Sequence, residues 1–393
     1  MRLTKVVSFC LGDIPSARIG IVEPMLELQK EGKIDFSFYL AAELTREILA
    51  DADIIISIRS ADSYELNIVN ECKKAGKLII YYLDDDLLNI PLNAASSEYF
   101  NSELVKNNIV SIIGQCDYLL TNNVRIKEKY QKYVQKGAYI IKAPALLLKS
   151  IKPKETSGIS KPVIKIGFSG GTDHKANLET LLKYPLYQLK SKYGDKIEFE
   201  FMGAKPDFGG DFEYRYIPYQ SEYDNYISQM SKIDWDIGVA PLPDSDFHAC
   251  KYYNKFLEYG AINAAGIYSD VDPYKQIIRN EINGLLVENT EDSWIAGLST
   301  LIENEELRLK VSSSARIQLE KEFTTQCIAK DIETKLGELT LYKAPYCKPS
   351  KLNLFLGSKV LITSKLYNIV KSMGLRAPLY IAKKVYQRLG KKD

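Results

Sequence analysis

Lys255 and Glu258 stand one helical turn apart within FHACKYYNKFLEYGAINAAGIYSDVDPYKQIIRNEINGLLVE, residues 247–288. The stretch reads as a loop, a short helix carrying both residues and a small-residue turn. A strand ending in Ser269-Asp270 follows, then a loop closing on Asn283-Gly284. A helix that begins just after a strand turns its free N–H groups and positive dipole end into a crevice where phosphate can sit. A lysine there supplies a fixed charge for a diphosphate, and a carboxylate one turn further on suits sugar hydroxyls. The same pattern also fits a plain amphipathic helix packed in an α/β domain, with both charges solvated.

Upstream, the strand VIKIGF runs into SGGTDHKANLETL and a helix. Gly170 and Gly171 permit close backbone approach at the sheet's C-terminal edge, with His174 and Lys175 beside them at the helix entry. The loop is not G-x-G-x-x-G, so a nicotinamide site gains no support. Gly167-Phe-Ser169-Gly-Gly171 does fit G-x-S-x-G, the nucleophile elbow of α/β-hydrolases, and Asp246 and His248 complete a Ser–acid–His order. That acid and histidine are only two residues apart, and no HGG-type oxyanion loop precedes them. Tyr219, after Pro218, offers either a stacking face for a base or an ordinary surface tyrosine. In the N-terminal half, IIYYLDDDLLNIP ends a strand in Asp84, Asp85 and Asp86. Three carboxylates there could orient an acceptor hydroxyl, cap a helix or bind a divalent metal.

Positioning such residues requires alternating strands and helices. Strand patterns fall at 5–9, 34–39, 53–58, 77–82, 118–121 and 138–141, with helical periodicity over 17–30, 64–75, 97–113 and 124–133. Residues 150–162, SIKPKETSGISKP, read as a linker. The pattern then restarts with strands at 163–168, 197–202, 213–217, 236–240 and 266–269, and three helical stretches lie between 291 and 338. The expected class is α/β, with two Rossmann-like doubly wound domains at 1–150 and 163–338 and a basic helical tail at 343–393.

The order of residues in 163–288 resembles the donor-binding domain of GT-B glycosyltransferases, particularly family 4-like enzymes of bacterial surface polysaccharide synthesis. Those share an N-x-x-K-x-x-E-Y-x-A stretch, a buried strand ending in S-D, and N-G-L-L-V. The resemblance spans about 1–335 and implies an active site in the cleft between two domains. It implies donor contacts from Gly170, Gly171, His174, Tyr219, His248, Lys251, Lys255 and Glu258. Lys251 and Lys255 would stabilise the departing diphosphate, with retention of anomeric configuration. On the acceptor side it implies Arg18, in the helix after GDIPSARIGIVEPML, and the aspartate run, with Asp84 counted among the catalytic groups. No metal is implied at the diphosphate. Two departures stand out: Cys250 occupies the first position of the family's E-x7-E, and Ala264-Ala265 replaces G-x-P. The missing first glutamate leaves open a non-catalytic GT-B-like protein that binds glycan or scaffolds an assembly.

Charge divides unevenly along the 393 residues. Residues 343–393 hold twelve Lys and Arg against one acidic residue, or +11, leaving −9 on the remainder. Leu, Ile, Val and Tyr recur among those lysines, which suits a helix lying on an anionic membrane surface; a solvated helix packed on the body is the alternative. No nucleic-acid-binding motif accompanies the charge. Six cysteines without C-x-x-C or zinc-type spacing, and a short first apolar run (VVSFCLG) that reads as a strand, lead to a cytoplasmic expectation, peripheral on the inner face of the membrane.

Overall fold

The apolar runs IIISI and LIIYYL are buried along their whole length, as strands covered by helices on both faces must be. They lie at the centre of the first of two sheets. The computed structural model describes residues 2–382 except 93, 95, 152–162, 211 and 221. The proposed linker 150–162 and the last eleven residues of the tail therefore lie largely outside the described residues.

The first sheet comprises β1 (Thr4–Cys10), β2 (Ile34–Leu40), β3 (Ile54–Ile58), β4 (Leu78–Leu83), β5 (Tyr118–Thr121) and β6 (Gly137–Ile140). All pairings are parallel, in the order β2-β1-β3-β4-β5-β6. The second comprises β7 (Ile164–Gly170), β8 (Ile197–Gly203), β9 (Arg215–Ile217), β10 (Ile237–Ala240), β11 (Ala265–Ser269) and β12 (Leu285–Val287). It too is parallel, in the order β12-β11-β10-β7-β8-β9. Each order reverses once, between β1 and β3 in the first sheet and between β7 and β10 in the second. At such a switch point the connections leave to opposite faces and open a crevice beyond the strands' C-terminal ends.

The helices that place functional groups are α1 (Ser63–Lys74), α2 (Glu103–Gln115), α3 (Lys175–Tyr193), α4 (Asn254–Ala261), α5 (Glu305–Glu322), α6 (Thr325–Lys335) and α7 (Ser358–Met373). The helix expected over 17–30 is instead split into Pro15–Ala17, a π-helical turn Arg18–Val22 and Glu23–Lys30. Gly20 sits in that turn against Tyr82; a Cβ on it would lie 2.1 Å from the ring. The helix expected over 97–113 is broken at Ser102, which caps α2 by accepting from Val105 N at 3.4 Å. Residues 285–287, absent from the expected strands and just after the loop that closes on Asn283-Gly284, form the edge strand β12 in register with β11.

The chain divides into one unit of Met1–Ile141 with Ala329–Asp393 and another of Lys142–Ile328. The crossings thus fall at 141/142 and 328/329, where the sequence reading places boundaries at 150–162 and between 338 and 343. Local bonds explain the first crossing. Ala143 N donates to the Tyr252 hydroxyl at 3.0 Å, Ala145 N to Phe323 O at 2.8 Å, and Arg316 in α5 to Ile151 O at 2.9 Å, all within the second unit. Beyond α6 the chain belongs to the first unit: Thr4 donates to Thr340 O at 2.8 Å and Ala344 N to Asp53 at 2.8 Å. Among the described residues, no helix is long and apolar enough to cross a membrane.

Candidate functional site

In the second unit the β7/β10 switch point gathers the expected donor residues from three loops. Gly170 and Gly171 end β7 and begin the turn into α3. Gly203, at the end of β8, approaches this turn so closely that a Cβ would lie 2.2 Å from Gly170 O; its φ of +83° also requires glycine. The same virtual Cβ would be 3.3 Å from the ring of Tyr219, which places this half-exposed side chain beside the glycine turn. His174 packs against Phe168 with ring centroids 5.5 Å apart, and Lys255 Nζ lies 5.7 Å from the same Phe168 centroid.

The third loop follows β10 and is fixed from β11. Ser269 Oγ accepts from Leu242 N at 2.8 Å and donates to Asn289 at 2.6 Å, while Asn289 donates back to Leu242 O at 2.9 Å. This loop carries His248, whose Nδ1 is 2.7 Å from Ser245 Oγ, and Lys251, whose ammonium lies 4.9 Å from the Phe247 ring centroid. It then enters α4, whose first turn has no side-chain cap. Asn283 of the NGLLV motif is scaffolding: it is buried, accepts from Arg279 N at 2.7 Å and donates to Ile277 O at 3.0 Å.

Lys255 and Glu258 are not solvated. Lys255 is buried, and its ammonium donates to Glu258 Oε2 at 2.8 Å. Ser169 Oγ donates to the same oxygen at 2.8 Å. The hydrolase alternative fails here. Ser169 is fully buried inside β7, not displayed on a strand–turn–helix elbow, and its hydroxyl is committed to Glu258. The sequence reading missed Ser169 as an anchor of this carboxylate; a serine at the end of a buried strand was the available signal. Cys250, at the position of the absent first glutamate, is buried and polar contact with a sugar is closed to it.

The electrostatics fit a polyanion. Burial first of all, opposed by Asp173 and aided by the charges of Lys255, Lys251 and His248, lowers the His174 imidazole to about 4. Burial and then Lys251 also lower His248, again against Asp173. Both rings are thus neutral near pH 7, beside two ammonium groups. As the pH falls from 6.5 toward 4, the unfolded chain takes up a proton at His174 before the folded one does, so this group's contribution to stability is lost over that window. These are the only two histidines of the chain. A nucleoside diphosphate seated here should raise both pKa values, since a nearby dianion favours the imidazolium. Proton NMR titration of the two C2–H signals, with and without the nucleotide, reads this directly; unmoved midpoints would place the anion elsewhere.

In the first unit the β1/β3 switch point collects residues that the resemblance places on the acceptor side. Arg59, directly after β3, has φ +51°, strained for a non-glycine residue. Its Nη1 contacts Asp84 at 2.9 Å, Asp85 at 3.0 Å and Ser16 Oγ at 3.1 Å. Burial works against its charge, but Asp84 and Asp85 outweigh it and raise its pKa. Arg18, in the π-helical turn, makes a bidentate pair with Asp13 at 2.7 and 2.8 Å. Single π-turns of this kind are frequent at functional sites.

The aspartate run does not act as one cluster. Asp84 and Asp85 face Arg59, whereas Asp86 is fully buried and accepts from Tyr130 at 2.7 Å, Lys129 at 2.7 Å and Asn89 at 2.9 Å. Asp86 therefore fixes the turn after β4 and is withdrawn from the acceptor-side set. Among the described residues, no group of three or more His, Cys, Asp or Glu side chains is arranged to hold a metal ion. Arg59 was missed by the sequence reading, although a charge closing the run IIISI was legible.

Neither a protein-family model nor a curated protein sequence matches this chain. Solved structures do. HepE of Anabaena, in complex with UDP and glucose, aligns with a TM-score of 0.60 and 12% identity, covering 86% of this chain and 100% of that one. Sucrose-phosphate synthase of Thermosynechococcus elongatus aligns with a TM-score of 0.61 and 11% identity, covering 86% and 99%. The fold is that of the GT-B glycosyltransferases. A Listeria monocytogenes protein described as a UDP-N-acetylglucosamine 2-epimerase shares it as well, with a TM-score of 0.53 and 12% identity over 85% of this chain and 96% of that one. The GT-B fold thus serves more than one chemistry, and activity must be argued from the site.

Proposed function

We propose that this chain is a GT-B glycosyltransferase, family 4-like, that moves a hexosyl or deoxyhexosyl group from a nucleoside diphosphate-sugar to a glycan or glycolipid acceptor. The observation that carries the reading is the β7/β10 switch point, where the Gly170-Gly171 turn, His174 and Lys255 meet around Phe168, and the loop after β10 brings His248 and Lys251. As the glycosidic bond to the donor breaks, positive charge grows on the sugar and negative charge on the diphosphate. Lysine ammonium groups and N–H groups at the start of α4, already fixed in place, stabilise that leaving group without reorganising. Ser169 and Lys255 both hold Oε2 of Glu258, so the carboxylate is oriented to meet ribose hydroxyls. Tyr219 supplies a face for the base. HepE is seen with UDP, which makes uracil the first base to try.

The acceptor side of the reading rests on Arg59, Asp84 and Asp85 at the other switch point, with Asp84 orienting the attacking hydroxyl. Retention of anomeric configuration and a role in surface polysaccharide synthesis belong to the same proposal. Release of nucleoside diphosphate from a panel of nucleotide sugars tests it against the non-catalytic alternative that Cys250 leaves open. Turnover with at least one donor is expected, and binding without turnover would favour the alternative. Because protein cations hold the diphosphate in this account, transfer is expected to persist in EDTA. Complete loss, restored by Mn²⁺ or Mg²⁺, would assign that task to a metal.

A further inference from the structure

The described part of the C-terminal segment is seated on the first unit. Leu352, Leu354, Leu361 and Ala377 are buried, and Arg46 donates to Leu354 O. On the inner face of α7, Ser364 Oγ donates to Asp62 at 2.9 Å, and Asn368 accepts from Ser63 Oγ at 3.0 Å. Asp62 and Ser63 open α1, three and four residues after Arg59. The segment therefore docks at the same sheet edge as the acceptor-side residues.

The outer face has the opposite character from the one water demands. Ile362, Leu366 and Val370 recur at intervals of four along α7, with Tyr367 beside them, and all are exposed. Lys359 and Lys371 flank this stripe and are exposed as well. The apolar surface continues at Phe355 before the helix and at Leu375 and Leu379 after it; Leu375 is 100% exposed. Leu361, Ser364 and Asn368 thus serve the inner contacts, while Ile362, Leu366, Tyr367 and Val370 point outward. An exposed apolar patch of this extent marks a partner surface. The surrounding charge selects the partner: +11 over residues 343–393 favours an anionic surface and opposes the same face of a second copy.

We infer that the outer face of α7 and the turn after it lie in the interface of an anionic lipid leaflet. The lysines engage headgroups, and Ile362, Leu366, Tyr367, Val370 and Leu375 insert below them. Resting on the transferase reading, the contact would bring the Arg59–Asp84 edge to a lipid-linked acceptor.

Flotation of the full chain with vesicles tests the inference through outward-facing substitutions, which leave the seated contacts in place. Wild type should float with phosphatidylglycerol vesicles, less so at high salt, and hardly with phosphatidylcholine vesicles. Ile362→Ser, Leu366→Ser and Val370→Ser combined, and separately Lys359→Glu with Lys371→Glu, should each lower partitioning by at least about tenfold. Melting temperature and affinity for a nucleoside diphosphate should not change. Equal flotation of the triple variant and wild type, or equal binding of wild type to both lipids, would overturn the inference. A dimer in sedimentation velocity that the triple variant abolishes would overturn it too, by giving the face to a second copy. Loss of flotation in the variants of a protein that binds no nucleotide would leave the membrane contact standing and remove the transferase reading alone.

Discussion

Lys255→Ala is expected to lower sugar transfer by at least about tenfold and toward 10²-fold, with kcat and kcat/KM falling together. The reason is the place of this ammonium. It is buried beside the Gly170-Gly171 turn and fixed by Glu258 at 2.8 Å, so its charge is in position before the leaving diphosphate develops its own. Removing it deletes a contact that strengthens in the transition state, whereas donor affinity should fall less. Glu258→Ala should show the opposite balance, weakening nucleotide binding by about 1.5–3 kcal/mol, the usual worth of a hydrogen bond to a charged group. Steady-state kinetics of both variants beside wild type reads the contrast. Full activity in Lys255→Ala would mean that the leaving group departs against other residues.

Adjacent aspartates should separate function from stability. Asp86→Ala should destabilise the first unit by about 2–3 kcal/mol, because the buried hydroxyl of Tyr130 and the Lys129 ammonium lose their shared acceptor. Asp84→Asn should leave the melting temperature close to wild type, yet impair transfer without changing nucleotide affinity. Thermal denaturation and donor turnover on the two variants distinguish the roles. If Asp86→Ala melts normally and loses activity, the turn after β4 serves the acceptor directly and its structural assignment fails.

The parts of this molecule legible in its sequence are those written in local pattern. Runs such as IIISI and LIIYYL are apolar without alternation, which in an α/β chain means a doubly covered parallel strand, and each is one. Gly170 and His174 were legible together because they end and follow one strand, whereas Lys251, Lys255 and Glu258, on the loop and helix well after β10, were joined to them only through the family resemblance. What local pattern does not carry is the partner of each charge. Three consecutive aspartates look alike in sequence, but only the third turns inward to Tyr130 and Lys129. Ser169 matches a nucleophile motif, yet the register of β7 buries it against Glu258 from a helix 89 residues away. The seat of the tail on the first unit depends on single polar bonds such as Ser364 to Asp62, which no periodicity announces.

The most direct measurement is calorimetric titration of the full chain with UDP and the other nucleoside diphosphates, repeated on Glu258→Ala. Wild type should bind at least one nucleoside diphosphate saturably and one-to-one. The variant's affinity should fall by about 1.5–3 kcal/mol, roughly ten- to a hundredfold. Binding of equal strength by both proteins, or none by wild type to any nucleoside diphosphate, would contradict a donor site at the β7/β10 switch point.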